Sequence, residues 1–376
     1  MSDASNPPLV LRWTRFKSDS HGTGPEKRSA QIRHLCESAG VSLVDLVPPT
    51  TFSRPRAWLT GLWLRCRYGR HLALESVGPG LLGYRHAFFT SALRSHPAAR
   101  AVVWETTYDD ILPLVARQLG QRLLAVPHNL EALVSDQVFA DAAYDPFPDL
   151  AAEVRRLGRA DAIFTIAREE RWLLESRGLA ARYLPFYPEP TLERECLELR
   201  AQRAEPSATQ PLLLLGSALN PATARGLERH LEWLATSPRR VVVVGPHTDR
   251  LFAPFASDRV QVLGAVERSR LAGLMTGCAA MAIHTEGGAG AVTRIPEALL
   301  AGIPVIANAN ALRDCHNLPG THRYETAAEF LSLAGQSLPT PPAPPRPVRD
   351  ESLFQSFLRQ FAVGGEAPLR KHPRGI

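Results

Sequence analysis

The sequence predicts an α/β fold of two domains, each built on a parallel sheet, and three observations predict it. Short apolar runs of strand length alternate with helix-length runs along the chain, the pattern of parallel α/β layers. The 376 residues exceed what one ordinary core organises. Composition changes at 185–210, where proline and charge replace the apolar alternation.

In the first half, apolar runs at 9–13, 41–46, 101–104, 122–126 and 162–166 read as strands. Helical runs lie between them, as at 29–39 and 167–176. In the latter, Arg168, Glu169, Glu170 and Arg171 mark the wet side, and Trp172, Leu173 and Leu174 the core side. Residues 185–210 read as the connection between domains. The second half opens at Pro211 with PLLLLG and adds strands at 241–244, 260–263, 279–283 and 304–307. A stretch LPTPPAPPRP at 338–347 is expected to be extended and partly rigid. Beyond it, Leu353, Phe354, Phe357, Leu358 and Phe361 recur at helical spacing, so 351–361 is expected to be an amphipathic helix docked on a core. The division is therefore 1–188 with a returning helix at 350–363, then 207–337, a linker at 338–349 and a flexible tail at 364–376. Two such domains facing across a cleft place ligands at the C-terminal ends of strands.

Apolar residues at 45% and charged residues at 21% describe a globular chain. No apolar run is long enough for a membrane-spanning helix, and MSDASNPPLVLRW lacks the basic-then-apolar order of a signal peptide. Five scattered cysteines with no C-x-x-C pair suit a reducing, cytoplasmic setting without a disulfide framework or structural zinc. The adjacent pair Cys315-His316 is isolated and reads as chance. Net charge is +6, and all but three of the 43 basic residues are arginine. That balance attracts anions such as nucleotide-sugars or acidic headgroups. A nucleic-acid partner is not expected, because no recognition module accompanies the charge.

The most informative stretch is AIHTEGGAGAVTRIPEALLAGIPVIAN at 282–308. A turn through Gly287, Gly288, Ala289 and Gly290 leads into a short helix that stops at Gly302. Glycines let main-chain N–H groups approach a ligand closely, and a helix N-terminus adds unpaired donors, which together suit a diphosphate. Arg294 and Glu297 share one helix face, so a cation can meet phosphate while a carboxylate accepts bonds from sugar hydroxyls. Pro296 is tolerated because the first helical turn needs no N–H.

Other strand exits carry weaker signals. Gly216 and Ser217 offer donors to phosphate and Arg225 adds charge; an Asn220-Pro221 turn capping a helix is the alternative. The loop at Leu263-Gly264-Ala265-Val266 can clamp a nucleobase by its backbone. His128, in VPHNLE, can face a cleft as a hydrogen-bond donor or base, or be a satisfied loop residue. Asp161 reads as a turn or cap. Residues 18–25 read as a loop at a cleft mouth, followed by a helix containing Arg28.

Taken in order, the pieces are a glycine-bearing first loop, H-N-x-E, A-D-x-I-x-x-I-x-x-E, L-L-x-G-S-x-x-N-P, L-G-x-V and G-A-G-x-x-T-R-x-x-E-A-L-x-A-G-I-P-V-I-A. This resembles the GT-B-type glycosyltransferases of the large retaining family four, over most of the chain and most densely at 211–313. The resemblance implies two Rossmann-like domains, an acceptor domain first and a donor-nucleotide domain second. It implies that Glu297 holds the donor ribose, that Gly290, Ala291, Val292 and Thr293 meet the diphosphate through main-chain amides, and that Arg294 is the cation beside them. Val266 matches the base-contacting loop and His128 the first-domain histidine near the transferred sugar. The residues this marks as catalytic are His128, Arg294 and Glu297. There are departures. Many relatives carry a further glutamate where this chain has Ala289, and Glu286 is off register. Many carry an Arg…Lys pair where Ser217, Asn220 and Arg225 stand here, without lysine.

The implied reaction moves a sugar from a nucleoside diphosphate to an acceptor hydroxyl with retention, as in bacterial glycan, glycolipid or glycoconjugate synthesis. Its donor is a nucleotide-sugar, its acceptor a sugar, a lipid-linked glycan or another hydroxyl compound. No tightly bound cofactor and no metal are expected. Ala289 and the missing lysine motivate two other readings, a non-catalytic partner of the same fold and a GT-B-type sugar-nucleotide epimerase.

Residues 54–94 hold seven arginines (Arg54, Arg56, Arg65, Arg67, Arg70, Arg85 and Arg94) against one acid, Glu75. Trp58, Leu59, Leu62, Trp63 and Tyr68 interleave with them. Either these are first-domain helices whose tryptophans pack inward, or they form a face for an anionic membrane surface, which would place the chain peripherally on the inner side of that membrane.

Overall fold

The computed structural model describes residues 7–48, 53–72, 77–107, 111–134, 150–207 and 209–364. The chain divides into two compact units, one from Met1–Leu133, Ala140–Pro185 and Pro347–Ile376, the other from Phe186–Arg346 together with Val134–Phe139. The described elements of the first are β1 (Leu9–Trp13), α1 (Gly24–Ser38), β2 (Ser42–Asp45), α2 (Arg54–Leu72), α3 (Pro79–Arg94), β3 (Ala101–Trp104), α4 (Leu112–Gln118), β4 (Arg122–Ala125), α5 (Leu150–Leu157), β5 (Ala162–Thr165), α6 (Arg168–Ser176) and β6 (Arg182–Tyr183). Those of the second are α7 (Pro190–Gln202), β7 (Leu212–Leu215), α8 (Pro221–Leu234), β8 (Val241–Val244), α9 (Thr248–Leu251), β9 (Val260–Val262), α10 (Arg268–Gly277), β10 (Ala280–Ile283), α11 (Arg294–Leu300), β11 (Val305–Asn308), α12 (Ala309–Leu312), β12 (Thr321–Tyr324) and α13 (Ala327–Ala334). The chain then returns to the first unit as α14 (Val348–Ala362).

Each unit holds a six-stranded parallel sheet, ordered β2-β1-β3-β4-β5-β6 and β12-β11-β10-β7-β8-β9. Alternate strand residues face opposite layers, so each sheet divides its apolar residues between two cores. In the first unit Leu11, Val102 and Trp104 face α2 and α3, while Val10, Val103 and Phe164 face α1 and α14. Strand order reverses between β1 and β3, and between β7 and β10. Those reversals leave a crevice beyond the strand C-termini, where α/β sheets bind ligands.

Helix α14 packs on the first unit's core. Phe354, Phe357, Leu358 and Phe361 are buried, and the Phe354 and Phe357 rings meet the Phe164 edge at 5.3 and 5.7 Å. Leu353, expected on the same face, is 39% exposed. The tail at 365–376 lies outside the described residues.

One reading is corrected here. Much of 185–210 is helix α7 rather than a bare connection, because Leu192 and Cys196 seat it in the second core. Its Arg200 donates to the carbonyls of Leu299 and Leu300 at the end of α11, and to Pro341. A buried helix C-terminus leaves carbonyls that need such donors. The proline-rich stretch is thereby pinned to the second unit, with Pro344 also accepting from the Tyr187 hydroxyl.

The second core also holds a buried polar group. The Tyr324 hydroxyl lies 2.7 Å from His230 Nε2 and 2.7 Å from His284 Nδ1. Burial, with a smaller push from the neighbouring His284, lowers the pKa of His230 to about 3. Between that value and the ordinary 6.5, the unfolded chain binds a proton that the folded chain refuses, so stability rises with pH. Acidification from pH 6.5 to about pH 5 should therefore cost about 2 kcal/mol. Urea unfolding at the two pH values checks this, and His230→Leu should flatten the dependence.

Candidate functional site

The second unit gathers its candidate residues at the β7–β10 reversal. Beyond β10 the chain turns through Gly288 and Gly290, both at positive φ, before α11 begins. The guanidinium of Arg294, on the first turn of α11, donates to the carbonyl of Leu215, the last residue of β7. A Cβ on Gly216 would lie 2.5 Å from that guanidinium. The two segments chosen from the sequence as phosphate-binding, 216–225 and 290–297, thus meet side by side. Glu297 lies one turn along α11 and is 8% exposed. Burial lowers the Arg294 pKa, and the Glu297 charge opposes that shift, which places cation and carboxylate within electrostatic reach. Thr293 stands at the N-cap without a side-chain cap bond.

The neighbouring strand exits are laced to this point by main-chain bonds. Gly216 N donates to Val244 O at 3.0 Å, Ala218 N to Pro246 O at 2.9 Å, and Gly245 N to Gly264 O at 2.8 Å. Gly245 has φ +143, and a Cβ there would lie 2.0 Å from the carbonyl oxygen of Gly216. A main-chain atom has no rotamer to give, so Gly245→Ala must push the Gly216-Ser217 turn outward. We expect a loss of roughly 1–3 kcal/mol in stability, read by thermal melting.

Beyond β9, Val266 is partly buried against the second unit's core cluster, as are Leu215, Leu263 and Val292. Ser217 Oγ accepts from Leu219 N, and Asn220 Oδ1 caps α8 by accepting from Thr223 N at 3.1 Å. Asn220 therefore takes the helix-capping alternative. Arg225 lies exposed on α8. Glu286, off register for a donor-sugar contact, pairs with Arg229 of α8 at 3.1 Å.

Two residues missed in the sequence hold this region. Arg313, after α12, donates from Nε to Gly290 O at 3.0 Å and from a terminal nitrogen to Gly288 O. Asn308, at the end of β11, bonds both the N–H and the carbonyl of Thr285 and caps α12. Asn308 closes the apolar run at 304–307 and Arg313 follows a few residues later, but neither position signals in sequence which backbone groups it will meet, so only the fold brings them there.

In the first unit the β1–β3 reversal gathers a second set. His128, two residues beyond Val126, is 7% exposed, and its Nε2 lies 3.1 Å from Glu105 Oε2. Glu105 follows β3 directly. It also accepts from Ser29 Oγ at 2.7 Å and from Arg12 at 3.2 Å. Burial alone would raise its pKa, but the His128 bond, the Arg12 charge and the Ser29 hydroxyl together hold it below the usual carboxylate range. Arg12 in turn forks onto Asp45, at 2.6 and 3.0 Å. Phe16, on the loop after β1, stacks on the imidazole with ring centres 4.8 Å apart. His128 Nδ1 is buried and has no hydrogen-bond partner among the described residues. The imidazole is thus fixed on one edge and covered on one face. An imidazole held in this way is oriented by its carboxylate partner.

Main-chain N–H groups of the following turn are held by acids. Leu130 N donates to Glu170, and Glu131 N and Ala132 N donate to Glu153. Arg28 is buried and donates to Gln31 and to the carbonyl of Pro185, an anchoring role. Asp161 locks β5 to β4 by accepting from Leu123 N.

No protein-family profile and no curated protein matches this sequence. Solved structures do. HepE from Anabaena in complex with UDP is 12% identical, with a TM-score of 0.54 over 93% of this chain and 99% of that one. A sucrose-phosphate synthase from Thermosynechococcus elongatus is 16% identical, with a TM-score of 0.56 over 94% and 92%. A UDP-forming trehalose-phosphate synthase from Burkholderia xenovorans is 12% identical, with a TM-score of 0.57 over 95% of each chain. At these identities the likeness establishes the fold, which is GT-B with two Rossmann-like sheets.

Proposed function

We propose that this chain is a glycosyltransferase that moves a sugar from a nucleoside diphosphate to an acceptor hydroxyl with retention of configuration. The observation that carries the reading is the meeting of the β7 exit with α11, where Arg294 and Glu297 stand beside a glycine turn. Main-chain N–H groups of Gly290, Ala291, Val292 and Thr293 hold the diphosphate, and Gly216 and Ser217 border it. Glu297 accepts from the ribose hydroxyls, and Val266 lies against the base. On this reading the sugar C1–O bond to the diphosphate breaks and a bond from C1 to the acceptor oxygen forms. The departing phosphate oxygen takes the acceptor proton. Donors aimed at the leaving oxygens supply most of the acceleration, each worth roughly 2.7–4 kcal/mol. In the first unit, His128, oriented by Glu105 and Phe16, lies near the transferred sugar. The acceptor is a sugar, a lipid-linked glycan or another hydroxyl compound.

UDP is the first probe, because HepE was solved with it and the trehalose-phosphate synthase forms it. The test is to incubate the protein with UDP-sugars and simple glycoside acceptors and to read the anomeric coupling of the product. A retained anomer supports the reading; an inverted one removes the retaining mechanism. Ala289 favours a second reading, a nucleotide-binding protein without turnover. Saturable UDP binding, with neither transfer nor donor hydrolysis in a wide acceptor screen, would select it.

A further inference from the structure

Helix α2 is turned inside out, and the cause is its contact with α3. A Cβ on Gly61 would lie 1.6 Å from the carbonyl oxygen of Pro79, and one on Gly83 would lie 1.6 Å from that of Ala57. The two backbones touch through these small residues, so the narrow face of α2, with Ala57, Gly61 and Leu64, is the buried one. The large apolar residues are left outside. Trp58 is 50% exposed, Leu59 64%, Leu62 39% and Trp63 53%. The expectation that these tryptophans pack inward is thereby corrected.

At about 100° per residue, Trp58, Leu62, Leu59 and Trp63 fill an arc of about 140°. Arg54 and Arg65 fall on one edge of that arc, Arg56 and Arg67 on the other, and all four are exposed. No acid occurs anywhere in α2. A dry-faced partner protein would need acids placed against both edges. A bilayer needs only its own geometry, in which indole and leucine side chains enter the interface and flanking guanidinium groups reach phosphate. No described helix is long and apolar enough to cross a membrane, so α2 would lie in the surface plane.

We propose that α2 docks this protein on an anionic lipid surface, with Trp58, Leu59, Leu62 and Trp63 as the inserted face and Arg54, Arg56, Arg65 and Arg67 as the phosphate-facing rims. The proposal needs no donor and no turnover, so it stands or falls apart from the reading of the nucleotide site. It would bring a lipid-borne acceptor to the first unit.

The experiment is flotation of the full chain with two vesicle types, phosphatidylcholine alone and phosphatidylcholine with roughly 40% phosphatidylglycerol, at low and high salt. The wild type should float with the anionic vesicles only and be released by salt. Trp58→Ser/Trp63→Ser should bind at least about tenfold more weakly and still unfold cooperatively, since about half of each side chain already faces water and Trp63 otherwise leans on Tyr68. Brominated lipid should quench wild-type tryptophan emission, a reading that depends on no variant. Wild type that stays in solution with anionic vesicles overturns the proposal. So does a double variant that floats equally well, or a wild-type dimer that the double variant converts to monomer, which would make this face a contact between copies.

Discussion

Glu297→Ala should weaken UDP binding by roughly 10- to 150-fold, the loss expected for charge-assisted hydrogen bonds worth about 1.5–3 kcal/mol. The carboxylate is nearly buried on the first turn of α11, and its charge supports Arg294 against the cost of burial. Alanine removes both the proposed ribose acceptor and that support. Calorimetric titration should show the loss, and the melting-temperature rise caused by saturating UDP should shrink with it. Glu297→Gln separates the two effects, since it keeps the size and hydrogen-bonding reach but lacks the charge. A ground-state contact of this kind raises KM more than it lowers kcat. A drop confined to kcat would place the carboxylate at the reacting centre instead.

Glu105→Ala should cost roughly 3–5 kcal/mol of stability, because it strands two buried groups at once. Arg12 and His128 both lean on this carboxylate, and Arg12 is 1% exposed. Urea unfolding measures the loss. Glu105→Gln fills the same space but cannot accept from both donors, so it should retain the fold while loosening His128. The depressed pKa of Glu105 contributes stability that is present above the ordinary carboxylate value of 4.5 and fades as pH falls through the lower folded value. Wild type should therefore lose stability in acid more steeply than Glu105→Gln. Equal acid sensitivity would show that the carboxylate is not held down by its neighbours.

What the sequence could convey depended on burial from both sides. The central strands β1, β3 and β8 coincide with apolar runs at 9–13, 101–104 and 241–244, because both sheet faces are covered there. Strands β6 and β12 escaped notice. They are edge strands, reading RY and THRY, with few neighbours to demand apolar residues. Helix α7 resembles a connection in sequence because its contacts run partly through the Arg200 side chain to main-chain carbonyls rather than through an apolar stripe. The glycine turn with Arg294 and Glu297 was legible because its residues are contiguous. Glu105, Ser29 and Arg12 around His128 were not, since they come from three segments joined only by the parallel order of β1, β3 and β4. The outward face of α2 was open to two readings because periodicity finds a stripe without saying which side is covered. The close approach of α3 at Gly61 and Gly83 decides it.

On the proposed reading the bend ahead of α11 holds two phosphoryl groups, and a crystal structure of the protein with UDP decides it. The diphosphate is expected within hydrogen-bonding distance of the main-chain nitrogens at 290–293, with the ribose hydroxyls on the Glu297 carboxylate. UDP seated elsewhere, with that carboxylate turned into packed side chains, would contradict it.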